Sequence, residues 1–525
     1  MAHPSSSSDT LISPPSPIHP STSKKPSPLM ESDLELSPLD INLRSNNAPI
    51  PKLLREASDI TWQEALETTK DQVPLIRRRG GRFKLLHQQQ FKNSLLASVG
   101  YLELANAGDF AANVWNDIPV PRFAAVLMGI GGTLALAMVF VAIQDFKLSY
   151  RNVKLLKEER GHLQRLKQYH CRNVEMTRVL DSRLGVGLRE IGTEVVDRIV
   201  MDLLMGAGSV LVGVGTLMAI GGANRHVYKA SNLLSGYIGN ALAAIFGLVN
   251  AIWSGYLIRR FYLHDRAVVS VEPSDDIRRR LRVRFRRFQW HAIVNGVNGL
   301  VAGAASMVTA THWEGYVVLI PCIISLIMCN YFWRKKLGYD RPILDHISLA
   351  KLQLTPLTED LEYAIAMQKA LSEPDHAIPQ PLIDKCSLES MLQFIVRNRM
   401  LETYVDSLAH DKLTSTLLSE IPPTQSATLH HPEYIITYDV LLRLSASKEN
   451  HARLLLDHAG RFLRTDGVRL FTYRERHLLE LSGYAVWQDQ MAESITASTT
   501  SASTSTSSTK MTKDLSKTED KSVCN

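Results

Sequence analysis

The stretch LLSGYIGNALAAIFGLVNAIWSGYL, residues 233–257, decides the fold. It runs 25 residues without an Asp, Glu, Lys, Arg or His. About 20 such residues cross the hydrocarbon core of a bilayer as a helix. Ser235, Gly239, Ala243, Gly247, Ala251 and Gly255 recur at every fourth position. A four-residue step keeps small side chains on one slowly rotating stripe, which lets a neighbouring helix approach closely. Four more apolar stretches flank it: Phe123–Ile143, Ile199–Ile220, Ala292–Thr311 and Tyr316–Trp333. The last is only just long enough. Gly299 and Gly303 in the fourth span repeat the small-residue spacing. The expected fold class is all-α: a polytopic transmembrane helix bundle with a cytosolic helical hairpin and a soluble C-terminal helical domain.

Composition agrees once it is read locally. The mean hydropathy of −0.06 averages apolar spans with polar ends. The net charge of +7 comes from Lys and Arg clustered beside the spans, a pattern suited to an anionic membrane leaflet. No recognition motif on a soluble fold argues for nucleic acid. The five cysteines form no CxxC, so zinc and thioredoxin-like chemistry lack support. Cys322 and Cys329 should share a face of the last span as small packing residues. Residues 1–8 carry no basic stretch followed by an apolar run, so a cleaved signal peptide is not expected.

Loop charge sets the orientation. Segment 144–198 holds 12 Lys/Arg against 8 acids, and 259–291 holds 10 Arg against 4. Segment 221–232 has only Arg225 and Lys229, and 312–315 has no Lys or Arg. Residues 144–198, 258–291 and 334–493 are therefore expected on the cytosolic side. Five spans then place the N-terminal region, with its Arg77–Arg82 cluster, on the far side. That outcome conflicts with the cost of translocating the cluster, and it vanishes if residues 94–115 also cross. Glu103 and Asp109 lie among the apolar residues of that stretch. A charge at mid-bilayer costs roughly 2.5–3.5 kcal/mol on insertion scales, so an amphipathic surface helix is the expectation.

Outside the spans, the Ser/Pro-rich head (1–49) and Ser/Thr-rich tail (494–525) should be disordered. Region 50–122 should be helical or interfacial, with Thr61 and Glu64 framing a helix start near Trp62. In 144–198, apolar residues at helical intervals predict a hairpin whose first helix runs from 145 to 182, with Gly185 and Gly187 marking the bend. Amphipathic spacing predicts helices near 359–371, 387–408, 434–446, 449–464 and 473–490.

Candidate functional residues fall into two sets. Asn240, Asn250, Asn295, Asn298 and Asn330 are amides within the spans, and each needs a partner in lipid. They either bond between helices or line a cavity for an uncharged solute. Arg278, Arg279, Arg280, Arg282, Arg284, Arg286 and Arg287 crowd one helix and suit topology anchoring and anionic headgroups. No ionisable group is expected deep in a span, which argues against proton-coupled transport. No serine elbow, HExxH, nucleotide loop or metal-spaced set occurs, so no catalytic residue, cofactor or metal is expected.

The strings Gly100-Tyr101-Leu102-Glu103-Leu104-Ala105-Asn106-Ala107-Gly108-Asp109 and Leu155-Leu156-Lys157-Glu158-Glu159-Arg160 join the Gly/Asn-rich spans and the arginine loop. Together they give a layout over roughly residues 60–490 that resembles uncharacterised multi-pass integral membrane proteins of filamentous fungi. The resemblance implies a membrane setting and no activity. The functional expectation is a non-enzymatic scaffold or adaptor, with a protein partner on 145–198 or 340–490. The alternative is a transporter or channel through the Asn-lined third and fourth spans.

Overall fold

The computed structural model describes residues 72–506, apart from 79–80, 87–89, 94–96, 116–119, 171, 271–274, 345–356, 373–386 and 424–431. The head, the helix start near Trp62 and residues 507–525 lie outside the described residues. The described chain is mostly helical. It opens with β1 (Val73–Arg77), β2 (Phe83–Leu85) and β3 (Gln90–Lys92), then a 3₁₀ helix (Ala97–Ala107) and α1 (Phe110–Val114). Five helices long and apolar enough to cross a membrane follow: α2 (Arg122–Tyr169), α3 (Val174–Ala219), α4 (Arg225–Val268), α5 (Asp275–Thr309) and α6 (Gly315–Leu337). Their outward faces carry Phe123, Ile130 and Phe140 on α2, Ile252 on α4, Val297 on α5 and Ile324 on α6, all exposed. A belt of large apolar side chains on that scale is expected of a surface that meets lipid.

Residues 97–114 depart from the surface helix expected of them. They run inside the bundle. Asn93, just before them, accepts a 2.9 Å bond from Trp333 Nε1 near the end of α6. Asp109, at their far end, accepts a 2.7 Å bond from the Tyr316 hydroxyl at the start of α6. The segment therefore traverses the depth of the bundle. Glycine makes room: a Cβ on Gly131 of α2 would stand 2.3 Å from the Gly108 carbonyl oxygen. Glu103 and Asp109 are buried here rather than held at a surface. Non-helical backbone at membrane depth is tolerated where protein surrounds it.

The hairpin also differs in its bend. α2 has 48 residues, ~72 Å at 1.5 Å per residue, and extends well beyond a bilayer core. It turns at His170–Asn173, where the Asn173 side chain caps α3 by accepting from Met176 N–H. Gly185 and Gly187 lie within α3. Gly185 is a contact glycine, because a Cβ there would meet Tyr484 Cζ at 2.1 Å.

Beyond α6 come β4 (Asp340–Pro342), α7 (Leu357–Ser372), α8 (Leu388–Arg397), α9 (Leu401–His410), α10 (Thr414–Leu418), β5 (Glu433–Ile436), α11 (Tyr438–Ser447), α12 (Glu449–Phe462) and α13 (Val468–Thr506). The helix expected over 387–408 breaks in two at Asn398–Met400. That over 434–446 begins only after Thr437, whose side chain caps Val440 N–H. Residues 433–436 form a strand instead. α13 runs on to Thr506, into the tail expected to be disordered.

Two small sheets correct the all-α expectation. β1 pairs antiparallel with β2 and with β5, setting Leu75 opposite Leu85 and Tyr434. β3 pairs with β4, setting Phe91 opposite Arg341. Each strand is three to five residues long and its distant partner is absent from the local pattern. The sheets hold the N-terminal strands against the C-terminal helices.

One apolar core joins everything at this end. Tyr404, Phe462 and Phe471 of the C-terminal helices belong to the same buried cluster as Phe261 of α4, Phe285 and Phe288 of α5, and Trp333. The C-terminal helices therefore do not close a core by themselves.

Candidate functional site

Four of the five amides bond across elements, and two of them to each other. Asn295 Nδ2 donates to Asn250 Oδ1 at 3.0 Å, and Asn250 Nδ2 donates to the Asn295 carbonyl at 3.2 Å, so the two lock α4 to α5. Asn298 donates to Ser325 Oγ on α6. Asn240 donates to Asp109 at 3.4 Å and to Thr309 Oγ1 at 3.3 Å. Asn330 lines a cavity of about 40 Å³ together with Asn250, Asn295, Glu103 and His291. That volume suits a water or two rather than a solute. Asn93 Nδ2 and Thr193 Oγ1 in its wall are buried without a protein partner, which fits ordered water.

The glycines divide. A Cβ on Gly247 would stand 2.3 Å from the Gly299 carbonyl oxygen, and one on Gly303 would stand 2.8 Å from Ala244 Cα. A Cβ on Gly299 would stand 2.8 Å from Asn250 Nδ2. Gly239 faces the other way, onto Val212 of α3. Gly255 has nothing within 4 Å. The stripe thus turns from α3 to α5 along α4, and its last member contacts neither.

Buried ions concentrate where the bundle meets the C-terminal helices. Arg198 lies in a π-helical turn, Val195–Val200, that interrupts α3. It donates to Asp145 at 3.0 Å and to Glu194 at 2.9 Å, while Asn152 donates to Glu194 at 3.0 Å. A second network spans four elements and Tyr339. Arg341 of β4 grips Glu159 of α2 with two nitrogens, at 2.8 and 2.7 Å, and Glu190 of α3 at 3.0 and 2.7 Å. Arg189 of α3 grips Glu480 of α13 at 2.7 Å through both Nε and Nη2. The Tyr339 hydroxyl accepts from Arg189 and donates to Glu190. Burial opposes ionisation of Glu480, but Arg189 and Arg284 overcome it and hold its carboxyl below the usual range. Burial, aided by Arg341, Arg183, Arg189 and Arg284, pushes His477 well below the ordinary imidazole value.

The comparisons supply no relative. The chain matches no family model, no curated protein and no solved structure. Chemistry must therefore be read from the side chains.

The seven arginines of α5 do two jobs. Arg284 is buried, with its guanidinium 4.8 Å from the Phe288 ring centroid. Arg278 lies 3.6 Å from Asp275, and Arg280 bonds Asp276 at 2.9 Å and Glu475 at 2.8 Å. Arg282 is half-buried, whereas Arg279, Arg286 and Arg287 are exposed. Next along that face stands Trp290, 66% exposed, and then apolar Ile293, Val297 and Leu300. This cation–tryptophan–apolar order is the one expected at a membrane interface. Arg279 and Arg287 also line a cleft of about 420 Å³ with Lys336 and Arg476. Arg476 donates to two backbone carbonyls, those of Gly338 and Lys335, at 2.7 and 2.6 Å. Burial, with Arg287 nearby, lowers its pKa.

The sequence placed Glu103 and Asp109 at a surface rather than inside the bundle, and it gave no sign of either ion network. Among the described residues no group of three His, Cys, Asp or Glu side chains could hold a metal. Cys322 and Cys329 are buried free thiols on α6.

Proposed function

We propose that the chain is a multi-pass membrane scaffold, related to the fungal proteins it resembles, that holds a helical platform rigidly at the cytosolic face. The observation that carries this reading is the network of Glu159, Arg189, Glu190, Tyr339, Arg341 and Glu480. It bolts α2 and α3 of the bundle to β4 and α13 of the C-terminal region. Amides bonded between helices and a 40 Å³ interior cavity favour a closed core over a solute path. In this proposal the protein is not an enzyme, and the platform works by display.

Two surfaces serve the scaffold. Arg279, Arg286 and Arg287 lie beside Trp290 and meet anionic headgroups, each basic group adding about 1 kcal/mol near a charged leaflet. The tip of the hairpin exposes Tyr169 (83%) and Val174 (81%), apolar side chains placed to anchor a partner. The paired substitution Tyr169→Ser with Val174→Ser should cut partner recovery by cross-linking in intact membranes at least about tenfold, or roughly 1.4 kcal/mol. Arg279→Gln with Arg287→Gln should lower the number of phosphatidylserine molecules retained in native mass spectrometry. Unchanged recovery, or transport of any solute by purified protein in liposomes, sinks the scaffold reading. Unchanged lipid retention removes the headgroup role alone.

A further inference from the structure

A second cavity, of about 340 Å³, lies between the N-terminal arm of α3, strand β4 and the C-terminal helices. Arg183, Arg341, Arg397, Arg399 and Arg474 line it against the two acids Asp340 and Asp360, with His477, whose imidazole is held neutral by its surroundings, in the same wall. Among the described residues that line it, the arginines outnumber the acids. Arg341 is committed to Glu159 and Glu190, and Arg474 reaches Asp360 at 3.5 Å. Arg183 and Arg397 have no ion-pair partner among the described residues, and the Arg183 Nε is buried without a hydrogen bond. A guanidinium taken out of water calls for a counter-charge.

Backbone conformation points the same way. α8 ends in a Schellman motif: Met400 N–H bonds the Ile395 carbonyl at 2.9 Å, and Arg399 N–H bonds that of Val396 at 2.8 Å. The residue between cap and exit adopts the left-handed conformation that glycine fills without strain. Here it is Arg399, at φ 56°. The strained arginine stands in the cavity wall, as expected where side-chain chemistry is worth more than a relaxed turn.

We propose that this cavity binds a small organic phosphate, with Arg183 deep in the site and Arg397 and Arg399 at its exposed rim. Phosphate fits better than carboxylate because its three terminal oxygens accept from more than two guanidinium forks. Leu357, Leu470 and Phe471 supply an apolar wall for the organic part. The volume lies in the range of about 300–1,000 Å³ typical of small-molecule sites. The site is separate from the α5 cleft, and it stands or falls independently of the scaffold proposal.

The test is calorimetric titration of the full chain, in nanodiscs of neutral lipid, with AMP, glucose 6-phosphate, inorganic phosphate and citrate. AMP or glucose 6-phosphate should bind saturably, and more tightly than inorganic phosphate or citrate. Affinity should fall at least about tenfold in both Arg183→Gln and Arg397→Gln, and stay unchanged in Arg443→Gln, an exposed arginine of α11 outside the cavity lining. Arg397 is exposed, so its variant separates binding from folding. Arg399→Gly should raise the thermal midpoint while weakening binding, a combination that a purely structural arginine does not give. Absence of saturable binding by both organic phosphates, equal affinity in Arg397→Gln, or a preference for citrate or inorganic phosphate would overturn the proposal.

Discussion

Glu480 and His477 lie one helical turn apart on α13, and both make the junction sensitive to acid. Glu480 has a folded pKa held below its ordinary value of 4.5. Its stabilisation is present above pH 4.5 and is lost as pH falls toward the folded value. His477 is held well below its ordinary 6.5. The unfolded chain takes up that proton first, so stability declines as pH drops below about 6.5. Thermal unfolding of the wild type between pH 7 and 5 should show that decline, and His477→Gln should flatten it. A variant with the wild-type slope would show that His477 does not cause it. Glu480→Gln tests the other group, because it leaves Arg189 buried without its carboxylate partner, a loss of about 3–5 kcal/mol for a broken buried pair. None of this was legible in the sequence. Arg189 and Glu480 are 291 positions apart, and each looks like an ordinary charge on an amphipathic helix.

Elements were more legible than residues, because periodicity needs no distant partner. Each of the five apolar stretches falls on one of the five long helices, whose starts all lie earlier, while α3 and α5 end one and two residues short of the expected Ile220 and Thr311. The small-residue stripe was legible as a pattern but not in its use, since periodicity cannot say where a neighbouring helix diverges. Gly247 and Gly255 are equivalent in sequence. In the fold, one touches the backbone of α5 and the other faces open space. Gly247→Ala should therefore force α4 and α5 apart, at a cost of about 1–3 kcal/mol by overpacking. Gly255→Ala should be neutral, or stabilise by up to ~1 kcal/mol through helix propensity. Thermal midpoints of the two variants in the same detergent test the contrast, and equal midpoints would refute the placement of α5 against Gly247. The arginine helix follows the same rule. Its charge was visible, but only the fold separates buried Arg284 from exposed Arg287.

At the scale of the whole molecule, the long helices alone give an odd number of passes and separate the two ends of the chain. The fold joins them. β1 pairs with β5, and β3 pairs with β4, so the N-terminal strands lie at the same end as Asp340–Pro342 and Glu433–Ile436. The 3₁₀ segment runs from the Trp333 level to the Tyr316 level, and counting it as a pass would bring the two ends to one side. No hydropathy window finds it, because Glu103 and Asp109 make it look like a surface helix. Their burial becomes intelligible only with Tyr316, Asn113 and Asn240 in place around Asp109. The prediction is topological. The native sequence contains no Asn-x-Ser/Thr acceptor, so an inserted one reports cleanly. A glycosylation tag after Arg82, in the exposed turn between β1 and β2, should stay unmodified in microsomes, as should one after Lys412. A tag after Ala223, between α3 and α4, should be modified. Modification after Arg82 without modification after Lys412 would put the N-terminal strands on the opposite side from β5, which the β1–β5 ladder forbids. That single result would refute the six-pass arrangement while leaving each of the five long helices intact.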